Sequence, residues 1–110
     1  MFGKIVTGIV FLLLPLFANA QGSPAPMGSW ATKPPSEHLF VSASGCKFTA
    51  TNGQTTMVQE GQCSWNPSSA GGILTIINIH FYKPAPIYYN IIWVNPKQIK
   101  MDGDLFYKQD

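Results

Sequence analysis

From Leu39 onward apolar and polar residues alternate with a period of two rather than 3.6, and turn-forming residues recur about every ten positions, which predicts short strands and gives helix almost no foothold. Leu39-Phe40-Val41 begins a strand. Cys46, Phe48 and Ala50 then alternate with Lys47, Thr49 and Thr51, so one face is apolar and the other polar. Asn52-Gly53 carries the residue types of a type I′ hairpin turn, and Thr55 to Gln59 returns from it. Glu60-Gly61 reads as a turn or bulge, and Gln62 to Asn66 brings Cys63 and Trp65 onto one face. Asn66 to Gly72 is a loop by composition.

Two longer strands follow, Ile73 to Tyr82 and Ile87 to Val94, joined by Lys83-Pro84-Ala85-Pro86 and dominated by β-branched and aromatic residues. A four-residue loop there would set Tyr82 against Ile87, His80 against Tyr89, Asn78 against Ile91 and Ile76 against Trp93, all on one surface. The opposite surface would carry Ile73, Thr75, Ile77, Ile79 and Phe81 against Tyr88, Asn90, Ile92 and Val94. Both surfaces are apolar enough to want cover. One is expected to be core and the other to meet a second layer, a subunit or a partner. Gln98 to Met101, an Asp102-Gly103 turn and Leu105 to Lys108 complete the chain. The pattern predicts an all-β fold, a small antiparallel meander of about seven or eight strands closed into a barrel or folded into a sandwich.

Before this pattern begins, Lys4, the apolar run Ile5 to Phe17 and Ala18-Asn19-Ala20 have the order of a secretory signal with a small-x-small cleavage site. Residues 1–20 are therefore expected to be a signal peptide, 21–37 a Pro/Gly-rich lead-in and 38–110 the β domain, in a periplasmic or secreted protein with no membrane span. Trp30 is the one large aromatic of the lead-in and is expected to plug one end of the domain. After Gln21, six lysines and no arginine stand against five carboxylates, a net charge of +1. Scattered lysines without arginine do not form a nucleic-acid surface. Cys46 and Cys63, seventeen residues apart, are the only cysteines. An isolated pair in an exported chain predicts a disulfide, and the spacing and lack of nearby histidines disfavour a redox or metal site.

The titratable inventory is thin: His38, His80, Glu37, Glu60, Asp102, Asp104 and Asp110. No nucleophile motif surrounds any serine, so neither enzyme activity, a cofactor nor a metal is expected. The informative set is aromatic and polar: Trp65, Asn78, His80, Tyr82, Tyr89 and Trp93 are the candidate ligand-binding residues, forming a cleft or sheet face.

The order of motifs resembles that of small bacterial lipocalin-like (calycin-type) secreted β-barrel domains. Gly28-Ser29-Trp30 is similar to the opening Gly-x-Trp, followed by Gly45-Cys46-Lys47-Phe48, Gly61-Gln62-Cys63-Ser64-Trp65, Ile73-Leu74-Thr75-Ile76, Tyr89-Asn90-Ile91-Ile92 and a closing Phe106-Tyr107-Lys108. The resemblance implies that Trp30 caps the closed end of a barrel. This chain lacks the arginine that covers that tryptophan in the family, and its barrel is short enough to be filled by its own side chains.

The leading functional expectation is a non-enzymatic binding protein for a small apolar ligand or a protein partner. The alternatives are an inhibitor or immunity protein that blocks a secreted hydrolase with the 66–72 or 83–86 loop, and a structural or assembly component that pairs through an open strand edge. A homo-oligomer joined by such edges stays open.

Overall fold

The computed structural model describes residues 22–110; the expected signal segment lies outside them. Nine antiparallel strands and no helix make up the described chain: β1 (Gly28–Ala31), β2 (Glu37–Ser42), β3 (Gly45–Asn52), β4 (Thr55–Gly61), β5 (Cys63–Pro67), β6 (Gly71–Asn78), β7 (Ala85–Asn95), β8 (Gln98–Met101) and β9 (Asp104–Lys108). They form one sheet in the order β4-β3-β2-β1-β9-β8-β7-β6-β5. Every neighbour is also the next strand in sequence except where β1 meets β9. The meander predicted by the alternation is therefore present, rolled into a nearly closed barrel.

Closure depends on β4 and β5, which are successive halves of one bent run. β4 pairs with β3, whereas β5 pairs with β6, and the Gln62 and Glu60 carbonyls accept from the N–H groups of Ile77 and Ile79 at 2.8 and 2.9 Å. Glycine is required at the bend, because a Cβ on Gly61 would lie 1.8 Å from the Ile77 carbonyl oxygen. Beside it the Cys46–Cys63 disulfide joins β3 to β5 with Cα atoms 5.7 Å apart. The seam is thus tied by a covalent bond, by backbone hydrogen bonds and by Asn78. This fully buried amide accepts at Oδ1 from the N–H groups of Glu60 and His80, both at 3.2 Å.

Twelve buried side chains pack into the barrel core: Trp30 from β1, Leu39 and Val41 from β2, Cys46 and Phe48 from β3, with the rest from β6 to β9. Phe48 is the hub of the aromatic contacts, with ring centroids 5.4 Å from Tyr89 and 6.5 Å from Phe106. The interior is filled by its own side chains, as a barrel of this size requires.

Three local expectations are corrected. The β6–β7 connection is residues 79–84, not 83–86, and the register pairs Asn78 with Ala85, Ile76 with Ile87 and Leu74 with Tyr89. The shift is even, so each residue keeps its face, but His80 and Tyr82 leave the sheet. Buried Asn78 ends β6 by capping the seam, and the sequence beyond it becomes loop. In the β3–β4 hairpin Asn52 remains paired with Thr55, so the turn residues are Gly53 and Gln54. Gly53 alone there takes a positive φ, 63°. The segment read as lead-in contains the first strand, because Trp30 and Ala31 pair with Lys108 and Tyr107 of β9. By contrast, Asp102 and Gly103 both have positive φ, 50° and 95°, as a type I′ turn demands.

Candidate functional site

The six candidate residues fall into four places. Asn78 and His80 sit at the seam, Tyr89 lies in the core, Trp65 and Trp93 are half-buried at one end of the barrel, and Tyr82 projects from the 79–84 loop with 99% of its surface exposed. No single cleft gathers all six.

At the seam, His80 Nε2 lies 3.1 Å from Glu60 Oε1, with both side chains nearly half exposed. The exposed pair is a modest surface tie. In the core, the Tyr89 hydroxyl has no hydrogen-bond partner among the described residues. Burial, and secondarily the charge of Asp102, push its ionisation well above the usual tyrosine range, so it stays protonated.

The tryptophan end is more highly organised, and it includes the lead-in. Ser23 is held to the β5–β6 loop by its N–H on the Ser68 carbonyl at 3.0 Å and its hydroxyl on the Ser69 carbonyl at 3.3 Å. From there the segment crosses the barrel mouth, where all three indole N–H groups donate to its carbonyls. Trp65 reaches Ser23 O at 2.8 Å, Trp93 reaches Pro24 O at 2.9 Å and Trp30 reaches Pro26 O at 3.0 Å. Pro26 is fully buried, and a Met27 N–H to Ala25 carbonyl bond of 2.9 Å turns the chain into β1.

The rings support one another. Trp30 and Trp93 meet edge to face at 5.6 Å, and Trp65 lies over Gly72, where a Cβ would sit 2.6 Å from Cζ2. Lys108 Nζ stands 5.2 Å from the Trp30 ring centre and donates to the Met27 carbonyl at 3.1 Å. A lysine is therefore the cation that stands over Trp30. Beside this end an open cleft of about 520 Å³ is lined by Ser23, Pro24, Ser69, Ala70, Trp93, Asn95 and Pro96.

Sequence reasoning missed two groupings. Composition marks residues 21–37 only as a Pro/Gly-rich lead-in, whereas its carbonyls are the acceptors for every indole; backbone acceptors have no residue-type signature, but three tryptophans needing partners are a usable hint. The other grouping is Glu37 with Asp104, brought together where β2 and β9 begin. Burial, then the charge of Asp104 and a hydrogen bond between the two side chains, raise the Glu37 carboxyl above its ordinary range.

The outward face of β6–β7 is the remaining candidate. Ile73, Ile77, Tyr88, Ile92 and Val94 all stand exposed on it, and Ile79, Phe81 and Tyr82 continue the apolar surface into the loop. Residues 61–101 contain no Asp or Glu, while Lys83 lies in the loop and Lys100 is paired beside Ile92. Among the described residues no group of three or more His, Cys, Asp or Glu side chains is placed to hold a metal ion, and no helix is long and apolar enough to cross a membrane. Comparison of the chain with protein-family models, with curated proteins and with solved structures found no match.

Proposed function

We propose that this chain is a non-enzymatic, extracytoplasmic binding protein that engages a protein partner through the outward face of β6–β7 and the 79–84 loop. The observation that carries the reading is the exposed run from Ile73 and Ile77 through Ile79, Phe81 and Tyr82 to Tyr88 and Ile92, since a soluble monomer seldom leaves so much contiguous apolar surface to water. Aromatic side chains beside lysines, with no carboxylate among residues 61–101, fit an apolar partner surface rimmed by acidic groups. The filled interior favours this face over a small apolar ligand held inside the barrel. The disulfide is compatible with a periplasmic or secreted location. The ring order and the Lys108–Trp30 contact support the lipocalin-like resemblance without bearing on the partner.

The test is a comparison of two immobilised baits in a native extracytoplasmic extract, the chain from Gln21 onward and its Phe81→Ser/Tyr88→Ser variant. A partner retained by the first and lost from the second is expected. Identical retention by both baits, or retention by neither, overturns the reading.

A further inference from the structure

Tryptophan's indole nitrogen donates and does not accept, and proline offers a carbonyl without an N–H. The barrel mouth matches these two chemistries: three indole donors from β1, β5 and β7 meet a segment in which Pro24 and Pro26 have removed two of the backbone donors. The prolines also preset an extended backbone, so little conformational freedom is lost when the segment is held. The seat itself is built by the domain. Gly72 makes room for Trp65, Trp30 and Trp93 brace each other, and the Ser68 and Ser69 carbonyls receive the N–H and the hydroxyl of Ser23 respectively. Apart from the Ser23 hydroxyl, the segment's hydrogen bonds to the domain run through its main-chain atoms, and the indole donors are those that an extended proline-containing peptide would meet from any source. Its tether is short, with Met27 half exposed and Gly28 at φ 98° leading into β1. The 520 Å³ cleft beside Pro24 leaves space for a longer ligand to continue.

We propose that the three-tryptophan end of the barrel is a recognition site for extended Ser-Pro-x-Pro peptides, filled here in cis by residues 23–26 and able to take the same chemistry in trans. The site is separate from the β6–β7 face and stands whether or not that face binds a partner.

The test uses the chain from Gln21 to Asp110 with Pro24→Gly and Pro26→Gly, which keeps its length and all three tryptophans but removes the preset backbone of the cis ligand. The probe is the acetylated peptide Gly-Ser-Pro-Ala-Pro-Met, and the readout is the three indole N–H resonances. All three shift saturably in the variant. The unmodified chain needs roughly a hundredfold more peptide, because its tethered segment competes at a millimolar effective concentration. A peptide with glycine at both proline positions binds roughly tenfold more weakly. A folded, disulfide-bonded variant whose indole resonances ignore several millimolar peptide, or respond equally to the glycine peptide, overturns the proposal.

Should the double variant fail to fold, Trp93→Phe keeps the ring and deletes one donor. Faster amide exchange at Ser23 and Met27 and a several-fold lower peptide threshold are then expected, and no change in either overturns the proposal. Light scattering on the unmodified chain reads the source of the trans ligand: a dimer with crossed lead-ins identifies a second copy, whereas a monomer that still takes the peptide identifies a foreign segment.

Discussion

On the inward face of the β6–β7 hairpin Leu74, Ile76, Tyr89 and Ile91 are 0–5% exposed, while on the outward face Ile73, Ile77, Tyr88 and Ile92 keep 39–65% of their surface. The two faces carry nearly the same side chains. Apolarity therefore does not choose the core here; curvature does. The sheet rolls toward the face where β5 and β3 are linked, and Gly61 lets the backbone approach needed for that roll. The uncovered face is the apolar surface on which the proposed partner binding rests.

The strongest way to break this comparison is to truncate one member of each face. Ile91→Ala should cost about 2–5 kcal/mol, since it opens a cavity among packed neighbours. If denaturant unfolding places it within error of the outward-facing Ile92→Ala, the division of faces is wrong. Next in size, Cys46→Ala/Cys63→Ala should lose about 3 kcal/mol through the freed unfolded chain. Calorimetry should show its melting transition lowered while the β spectrum persists. A smaller and opposite effect is expected at Tyr89→Phe: deleting a buried hydroxyl that lacks a partner should raise stability by about 1 kcal/mol, and a fall would mean that the hydroxyl is satisfied in solution. On the outward face Ile92→Ser should change stability by no more than about 0.5 kcal/mol yet weaken partner retention, a pairing of outcomes that an ordinary core residue would not show.

The smallest effect lies away from the hairpin. The folded state binds the Glu37 proton more tightly than the unfolded chain does, so this group's favourable contribution is complete below the ordinary 4.5 and is lost as pH rises through the raised folded value. Glu37→Gln should flatten the acid side of the stability profile relative to the parent. An unchanged profile would remove the Asp104 contact from consideration.

The division of faces was legible in the sequence because it depends only on parity, and parity survives any even slip of register. The slip itself was not legible. Ile79, Phe81 and Tyr82 are strand-forming types, and nothing local says that Asn78 will turn inward to cap Glu60 and His80. For the same reason the alternation sets Tyr82 against Ile87 and His80 against Tyr89, and the structure separates both pairs. Asp102-Gly103 was readable, since positive φ at both positions restricts residue type strongly. The tryptophan end was half readable: the residues were singled out, whereas the backbone oxygens they meet belong to a segment whose composition signals only irregular chain.

Pairing of β1 with β9 makes the first strand wait for the last. The Gln109 N–H on the Ser29 carbonyl at 2.8 Å and Lys108 on Met27 also bring the opening and closing stretches of the domain together. Such a ring has a high contact order and cannot be completed before the last strand is available. Residues 23–26, though made early, would find their indole donors assembled only after residue 93 had followed them, so a truncated product should leave that segment unbound and open to proteases.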